Sequence, residues 1–140
     1  MTNFKLRIIT PERVVHEDTI ESITAPGADG EMTVLYNHMP LFSLLKEGAV
    51  TIRKDSDDSY FSIGRGYLET NGREVNLLVS RAFGQDELDV QAVEKARIEA
   101  ERRLKEAPAG EERHAAMLQL RRSLIDLKVL KLRKRRVVVQ

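Results

Sequence analysis

Apolar and polar residues alternate one by one at the start of the chain, where Phe4, Leu6 and Ile8 are separated by Lys5 and Arg7. That is the period-2 pattern of a strand with one buried face, and Pro11 ends it. Further short strand candidates follow over Ile20–Ala25, Met32–Leu35, Leu41–Leu45, Ala49–Arg53, Tyr60–Ile63, Arg65–Thr70 and Glu74–Ser80. Turn formers lie between them. Pro26-Gly27-Ala28-Asp29-Gly30 is dense in such residues, and Asp55-Ser56-Asp57-Asp58 predicts a polar hairpin loop. Asn71-Gly72 predicts a tighter type I′ turn, because both residues tolerate positive φ. Short strands at this spacing predict an antiparallel sandwich or barrel.

The period changes at Gly84-Gln85-Asp86. Asp89 is placed to cap a helix with its carboxylate, and Leu88 and Val93 occupy the positions of a hydrophobic staple around it. Val93, Ala96, Ala100 and Leu104 then recur at helical spacing, with alanines small enough to let a second helix approach closely. Pro108-Ala109-Gly110 breaks this helix, and another begins near Glu111. The second helix carries two apolar faces: Met117, Leu120, Leu124 and Leu127 on one side, and Leu118, Ile125, Val129 and Leu132 on another. They lie roughly 130° apart when residues are placed about 100° apart. One face suits the first helix in an antiparallel hairpin, and the other must meet the strand domain or a partner. The predicted fold is therefore α+β as a whole: an N-terminal antiparallel β-sandwich over 1–84 and a C-terminal antiparallel two-helix hairpin over 85–140.

Composition supports that division. All seven aromatic residues lie between Phe4 and Phe83, and only Gly110 of the eight glycines lies beyond residue 84. The first part carries 9 basic and 12 acidic side chains and the second 14 and 10. A net charge of +1 creates no strong field for nucleic acid. The absence of cysteine excludes disulfide and thiolate chemistry, and no run approaches membrane-spanning length. From Lys128 to Arg136 the chain is mostly basic (Lys128, Lys131, Arg133, Lys134, Arg135, Arg136), and no acid follows Asp126. Such a run suits the negative end of a helix dipole or an acidic docking surface.

Candidate chemistry is sparse. His16, His38 and His114 are too scattered for a metal motif. Gly64-Arg65-Gly66 lacks the third glycine and the following helix of a phosphate loop, so its glycines fit close backbone approach or a bulge. Asp55, Asp57 and Asp58 lack the remaining ligands of a calcium loop. No nucleophile–base pair is visible, and neither a cofactor nor a metal is expected.

Taken in order, several segments resemble the ε subunits of the catalytic sector of F-type ATP synthases. They are Ile9-Thr10-Pro11-Glu12-Arg13, Ala25-Pro26-Gly27-Ala28-Asp29-Gly30-Glu31, Asn37-His38-Met39-Pro40-Leu41 with Gly48, Gly64-Arg65-Gly66-Tyr67-Leu68-Glu69, and Leu88-Asp89. The resemblance implies a non-catalytic central-stalk subunit of a proton-translocating complex. Its sandwich would couple the γ shaft to the ring of c subunits, with Glu31 and His38 as the c-ring contacts. Its helices would pack through Met117, Leu118, Leu120, Leu124, Ile125, Leu127 and Val129. When extended along γ toward the catalytic α/β subunits, they would restrain hydrolysis, and the basic run would meet an acidic surface there. The implied location is peripheral, on the cytoplasmic face of a bacterial cell membrane.

Two departures bear on this. Tyr36 and Asn37 stand where the family commonly has Pro-Gly before the histidine; asparagine still accepts the left-handed backbone a turn needs there. ATP-sensing members carry an arginine where this chain has Ala92, and Asp126 falls where another arginine is expected. Asp89 and Arg122 remain as the residues available to a nucleotide. The loss of one cation and the gain of an anion predict weak or absent ATP binding. The alternative from another class is a small nucleic-acid-associated module using the basic tail, which the net-acidic first part disfavours.

Overall fold

The computed structural model describes residues 3–107 and 109–132. Ten strands come first: β1 (Phe4–Ile9), β2 (Val14–Ile20), β3 (Ser22–Gly27), β4 (Gly30–Leu35), β5 (Leu41–Leu45), β6 (Gly48–Lys54), β7 (Asp57–Ile63), β8 (Gly66–Thr70), β9 (Glu74–Val79) and β10 (Ala82–Gly84). A single 3₁₀ turn over Gln85–Glu87 leads to helices α1 (Val90–Glu106) and α2 (Glu111–Lys131).

The strands follow one hydrogen-bonded path, β10-β7-β6-β3-β5-β8-β9-β1-β2, with β4 paired to β3. The path folds over where β3 meets β5 at Gly27↔Leu45. One layer is then β10-β7-β6-β3-β4 and the other β5-β8-β9-β1-β2, with the core between them. Across the far edge, Lys54 of β6 binds Asp18 of β2 at 2.7 Å, and the His16 ring lies 4.9 Å from that of Phe61. Pairing is antiparallel except for β1 and β9, which run parallel from Lys5↔Glu74 to Ile9↔Leu78. Alternation works as expected in β1: Phe4, Leu6 and Ile8 enter the core with Ile23, Leu68 and Leu77. Lys5 and Arg7 face outward to Glu17 of β2.

Two strands lie outside the expected set. In β2 only Ile20 is fully buried, so the strand lacks an apolar alternation; its charged residues sit at a sheet edge, where they discourage pairing with another chain. The three residues of β10 are too few for any period to register.

The turns also differ from expectation. The primed hairpin is at Asp55-Ser56, both with positive φ (50° and 67°), directly between the paired Lys54 and Asp57. Asp57 and Asp58 belong to β7, and buried Asp58 accepts a hydrogen bond from Arg53 Nε at 3.1 Å. At Asn71-Gly72 only the glycine has positive φ (95°). The Asn71 side-chain oxygen accepts from the backbone N–H groups of Arg73 and Glu74, both at 2.9 Å. Asparagine's ability to mimic a turn with its own side chain replaces the backbone turn that its φ tolerance suggested.

The Asp89 carboxylate caps α1 through the Gln91 N–H at 3.0 Å. Ala100 and Ala116, one on each helix, are wholly buried, and Gln119 ties the pair by donating to the Ala96 carbonyl and accepting from Arg103. The α2 face toward α1 is thus Ala116, Gln119, Leu120, Ser123 and Leu127. Met117 and Leu124, which the spacing groups with Leu120 and Leu127, are 42% and 50% exposed. Alanines on α1 favour small partners, and this turns α2 away from its larger side chains.

Ala100→Leu forces a large side chain into this interhelical contact, where overpacking costs about 1–3 kcal/mol. Amide exchange in α1 and α2 should accelerate while exchange in β1, β8 and β9 stays as it was. Equal acceleration in the strands would refute a separate hairpin contact.

Candidate functional site

Strand β7 alternates across two environments. Phe61 and Ile63 point into the core, so Ser62 points the other way, yet it too is wholly buried. Helix α2 lies over this outer face of β6 and β7. There Ser62 Oγ donates to Asp126 Oδ1 at 2.5 Å, and Asp126 itself is 7% exposed. Arg81, just before β10, donates through Nη2 to both carboxylate oxygens at 3.1 and 3.3 Å. It also approaches Ser62 through Nη1 at 3.4 Å and lies 5.0 Å from the centre of the Phe83 ring. These are charge-assisted bonds in a place sheltered from water.

A second tether lies at the change of period. Gln85 Nε2 donates to the carbonyls of Val129 and Leu132, at 2.8 and 2.5 Å. Val129 lies in the last turn of α2 and Leu132 is its C-cap. The Val129 carbonyl also accepts the Leu132 N–H at 3.1 Å, so Gln85 adds a side-chain donor to a helix end that is short of them.

Gly64-Arg65-Gly66 holds Arg81 in position. Gly64 N–H donates to the Arg81 carbonyl and Ser80 N–H to that of Arg65. A Cβ at Gly64 would stand 2.1 Å from Ser80 Oγ and 2.9 Å from Arg81 Cγ; one at Gly66 would stand 1.9 Å from the Leu78 carbonyl oxygen. The glycines serve close approach. Beside the Arg81 site an open cavity of about 410 Å³ is lined by residues including Glu12, Arg13, Arg81, Phe83 and Arg122.

The residues expected to bind partners are distributed as follows. Glu31 is exposed at the start of β4, beside a cleft it shares with Lys128 and Leu132. His38 follows the other end of β4, half-buried, with Nδ1 2.7 Å from the Met39 carbonyl oxygen. Asn37 before it has φ 63°, the left-handed conformation that lets it stand in for glycine. The strand between Glu31 and Leu35 spans roughly 13 Å, so the two residues form separate points on the surface. On α2, Leu118, Ile125 and Leu132 are half-buried and Val129 is wholly buried. Lys128 and Lys131 are exposed; Arg133, Lys134, Arg135 and Arg136 lie outside the described residues. Asp89 is occupied at its cap, and among the described residues no hydrogen bond joins it to Arg122.

Along α1, Arg97 bridges Glu94 and Glu101, and Arg102 bridges Glu99 and Glu106. Hydrogen bonding to these carboxylates raises both guanidinium pKa values, and the Arg102 bond lowers that of Glu99. Among the described residues no cluster of three or more metal-ligating side chains occurs, and no helix is long and apolar enough to cross a membrane.

Sequence reasoning missed Ser62, Arg81 and Gln85, and it missed an apolar surface. On the outer face of β5, Phe42 and Leu44 are each 62% exposed, with Met39 beyond the strand at 79%. The Phe42 ring packs 4.8 Å from Tyr67 of β8. This face continues toward an apolar hollow lined by residues including Ile9, Tyr67 and Leu78. The signal was present: Leu41-Phe42-Ser43-Leu44-Leu45 is apolar on both sides of the strand, as a strand covered on both faces would be.

Comparison with known proteins gives a consistent result. Residues 3–85 match the family model described as the β-sandwich domain of the ATP synthase delta/epsilon chain. The ATP synthase epsilon chain of Moorella thermoacetica is 39% identical over 91% of this chain and 96% of its own length. That of Herpetosiphon aurantiacus is 32% identical over 94% and 97%. Among solved structures, a chain of the Euglena gracilis mitochondrial ATP synthase superposes with a TM-score of 0.71 at 19% identity, covering 92% of this chain and 78% of that one. A chain of the Tetrahymena thermophila mitochondrial enzyme, in a structure of its central stalk and c-ring, gives 0.60 at 14%, covering 91% and 96%. With a sandwich-domain match across more than half its residues and relatives aligned from strand to hairpin, the chain belongs to the epsilon chains of ATP synthase.

Proposed function

We propose that this chain works by contact: its sandwich couples the γ shaft to the c-ring, and its hairpin restrains hydrolysis by the catalytic α/β subunits. The chain is a non-catalytic subunit of a membrane-associated complex. The observation that carries the coupling reading is the exposed apolar face of β5 and β8, centred on Phe42, Leu44 and Tyr67. A monomer has no use for such a face, whereas a subunit clamped to a shaft would cover it. Glu31 and His38 act as two separate contact points on a ring that presents many copies of one loop. The hairpin, resting on β6 and β7, is the regulatory element, and Lys128, Lys131 and the basic residues beyond them meet an acidic surface when it extends. Because the two sequence relatives named above are bacterial, the expected place is the cytoplasmic face of a bacterial membrane. Nothing among the relatives supports a nucleic-acid-binding role, and the first part of the chain remains net acidic.

Phe42→Ser should weaken co-purification with γ by tenfold or more while leaving the sandwich's urea midpoint nearly unchanged, since an exposed side chain contributes within about 0.5 kcal/mol. Unchanged assembly in a pull-down would place γ elsewhere. Removal of residues 85–140 should raise ATP hydrolysis by the reconstituted complex while synthesis continues; no rise would end the inhibitory reading. Calorimetric titration of the full chain with ATP should show no micromolar binding. Ala92 supplies no cation, and the Asp126 carboxylate is already bound to Arg81. A micromolar constant would contradict this.

A further inference from the structure

Asp126 is the last acidic residue of the chain, and it is buried on the face of α2 that meets β6 and β7. A carboxylate taken out of water is strongly unfavourable unless charge and hydrogen bonds compensate it. Here both oxygens meet Arg81 and one also meets Ser62. Any other seating of α2 on the sandwich would bury the carboxylate without these partners. Lifting α2 off returns Asp126 and Arg81 to water together. A buried ion pair contributes little net stability against a solvated alternative, but it discriminates sharply among buried alternatives. The arrangement therefore defines one resting position for the hairpin and leaves release accessible.

We propose that Asp126, Arg81 and Ser62 form an intramolecular latch that holds the helical hairpin on the sandwich without nucleotide, with Gln85 closing the last turn of α2. Gly64 is a positioning residue for this latch, because any side chain there displaces Ser80 and Arg81. The latch places an internal carboxylate among cations, on the helix that also carries Arg122. It rests on the reading of the hairpin as a movable regulatory element, but its test measures position and not hydrolysis.

The chain has no cysteine, so two can be introduced for spin labels: Thr51→Cys on β6 and Lys128→Cys on α2, which line the same cleft. Pulsed electron resonance on the full chain without nucleotide should give one short distance, unchanged by magnesium ATP. Asp126→Asn and Arg81→Gln should each increase the released-to-seated ratio by roughly tenfold or more. Asp126→Asn cannot disturb the sandwich core, since the residue belongs to α2. The exchanged pair, Arg81→Asp with Asp126→Arg, should restore the short distance. The latch is overturned if the single variants keep the original distribution, or if the folded exchanged pair stays released. A short distance that appears only with ATP overturns it as well, and leaves the regulatory reading intact. A truncation that fails to raise hydrolysis would sink the regulatory reading without touching these distances.

Discussion

A carboxylate buried between a helix and a sheet constrains everything around it. Asp126 can leave water only where a cation and a hydroxyl already wait, and this requirement reaches far from α2. Arg81 must project from a short link between β9 and β10, so the link must be held tightly by the start of β8. That close approach requires glycine at position 64. Ser62 must face outward from β7, which the pleat guarantees once Phe61 and Ile63 face the core. Among the described residues, no buried side-chain polar atom lacks a hydrogen-bond partner, so the contact satisfies what it buries.

The two parts of the molecule are held by different physics. The sandwich rests on apolar burial spread over many strands, with Leu6, Ile8, Ile23 and Leu77 wholly enclosed. The hairpin relies on small side chains internally and on a few directed bonds where it meets the sandwich. Apolar burial is insensitive to small shifts, whereas paired charges and carbonyl caps are lost within an ångström or two of displacement. The regulatory role proposed for the hairpin calls for this contrast, with a firm sandwich and an arm whose seating depends on local bonds.

Much of this was legible beforehand. The alternation of Phe4, Leu6 and Ile8, the apolar runs of β5 and β6, the Asp89 cap and the break before Glu111 are local signals, and the corresponding elements formed where those signals lie. The polar edge strand β2 was not legible, because an edge strand can bury one residue and still pair along its length. The turn at Asn71-Gly72 was misread because asparagine offers two devices, φ tolerance and side-chain capping, and neighbouring strands choose between them. In the sequence Asp126 stands out only as a charge out of place, and no local pattern marks Arg81 or Ser62.

The sequence by itself determined the two-part organisation, the strand periodicity, the helical hairpin and, through its ordered motifs, the family. Those properties depend on near neighbours in the chain, whose spacing carries the physics. Tertiary structure alone decided that β1 lies parallel to β9 and that Met117 and Leu124 stay exposed. It alone brought Ser62, Arg81 and Asp126 together across 64 residues of sequence. No periodicity encodes such a contact, because it arises only when separate elements have packed and a buried charge must find its partner.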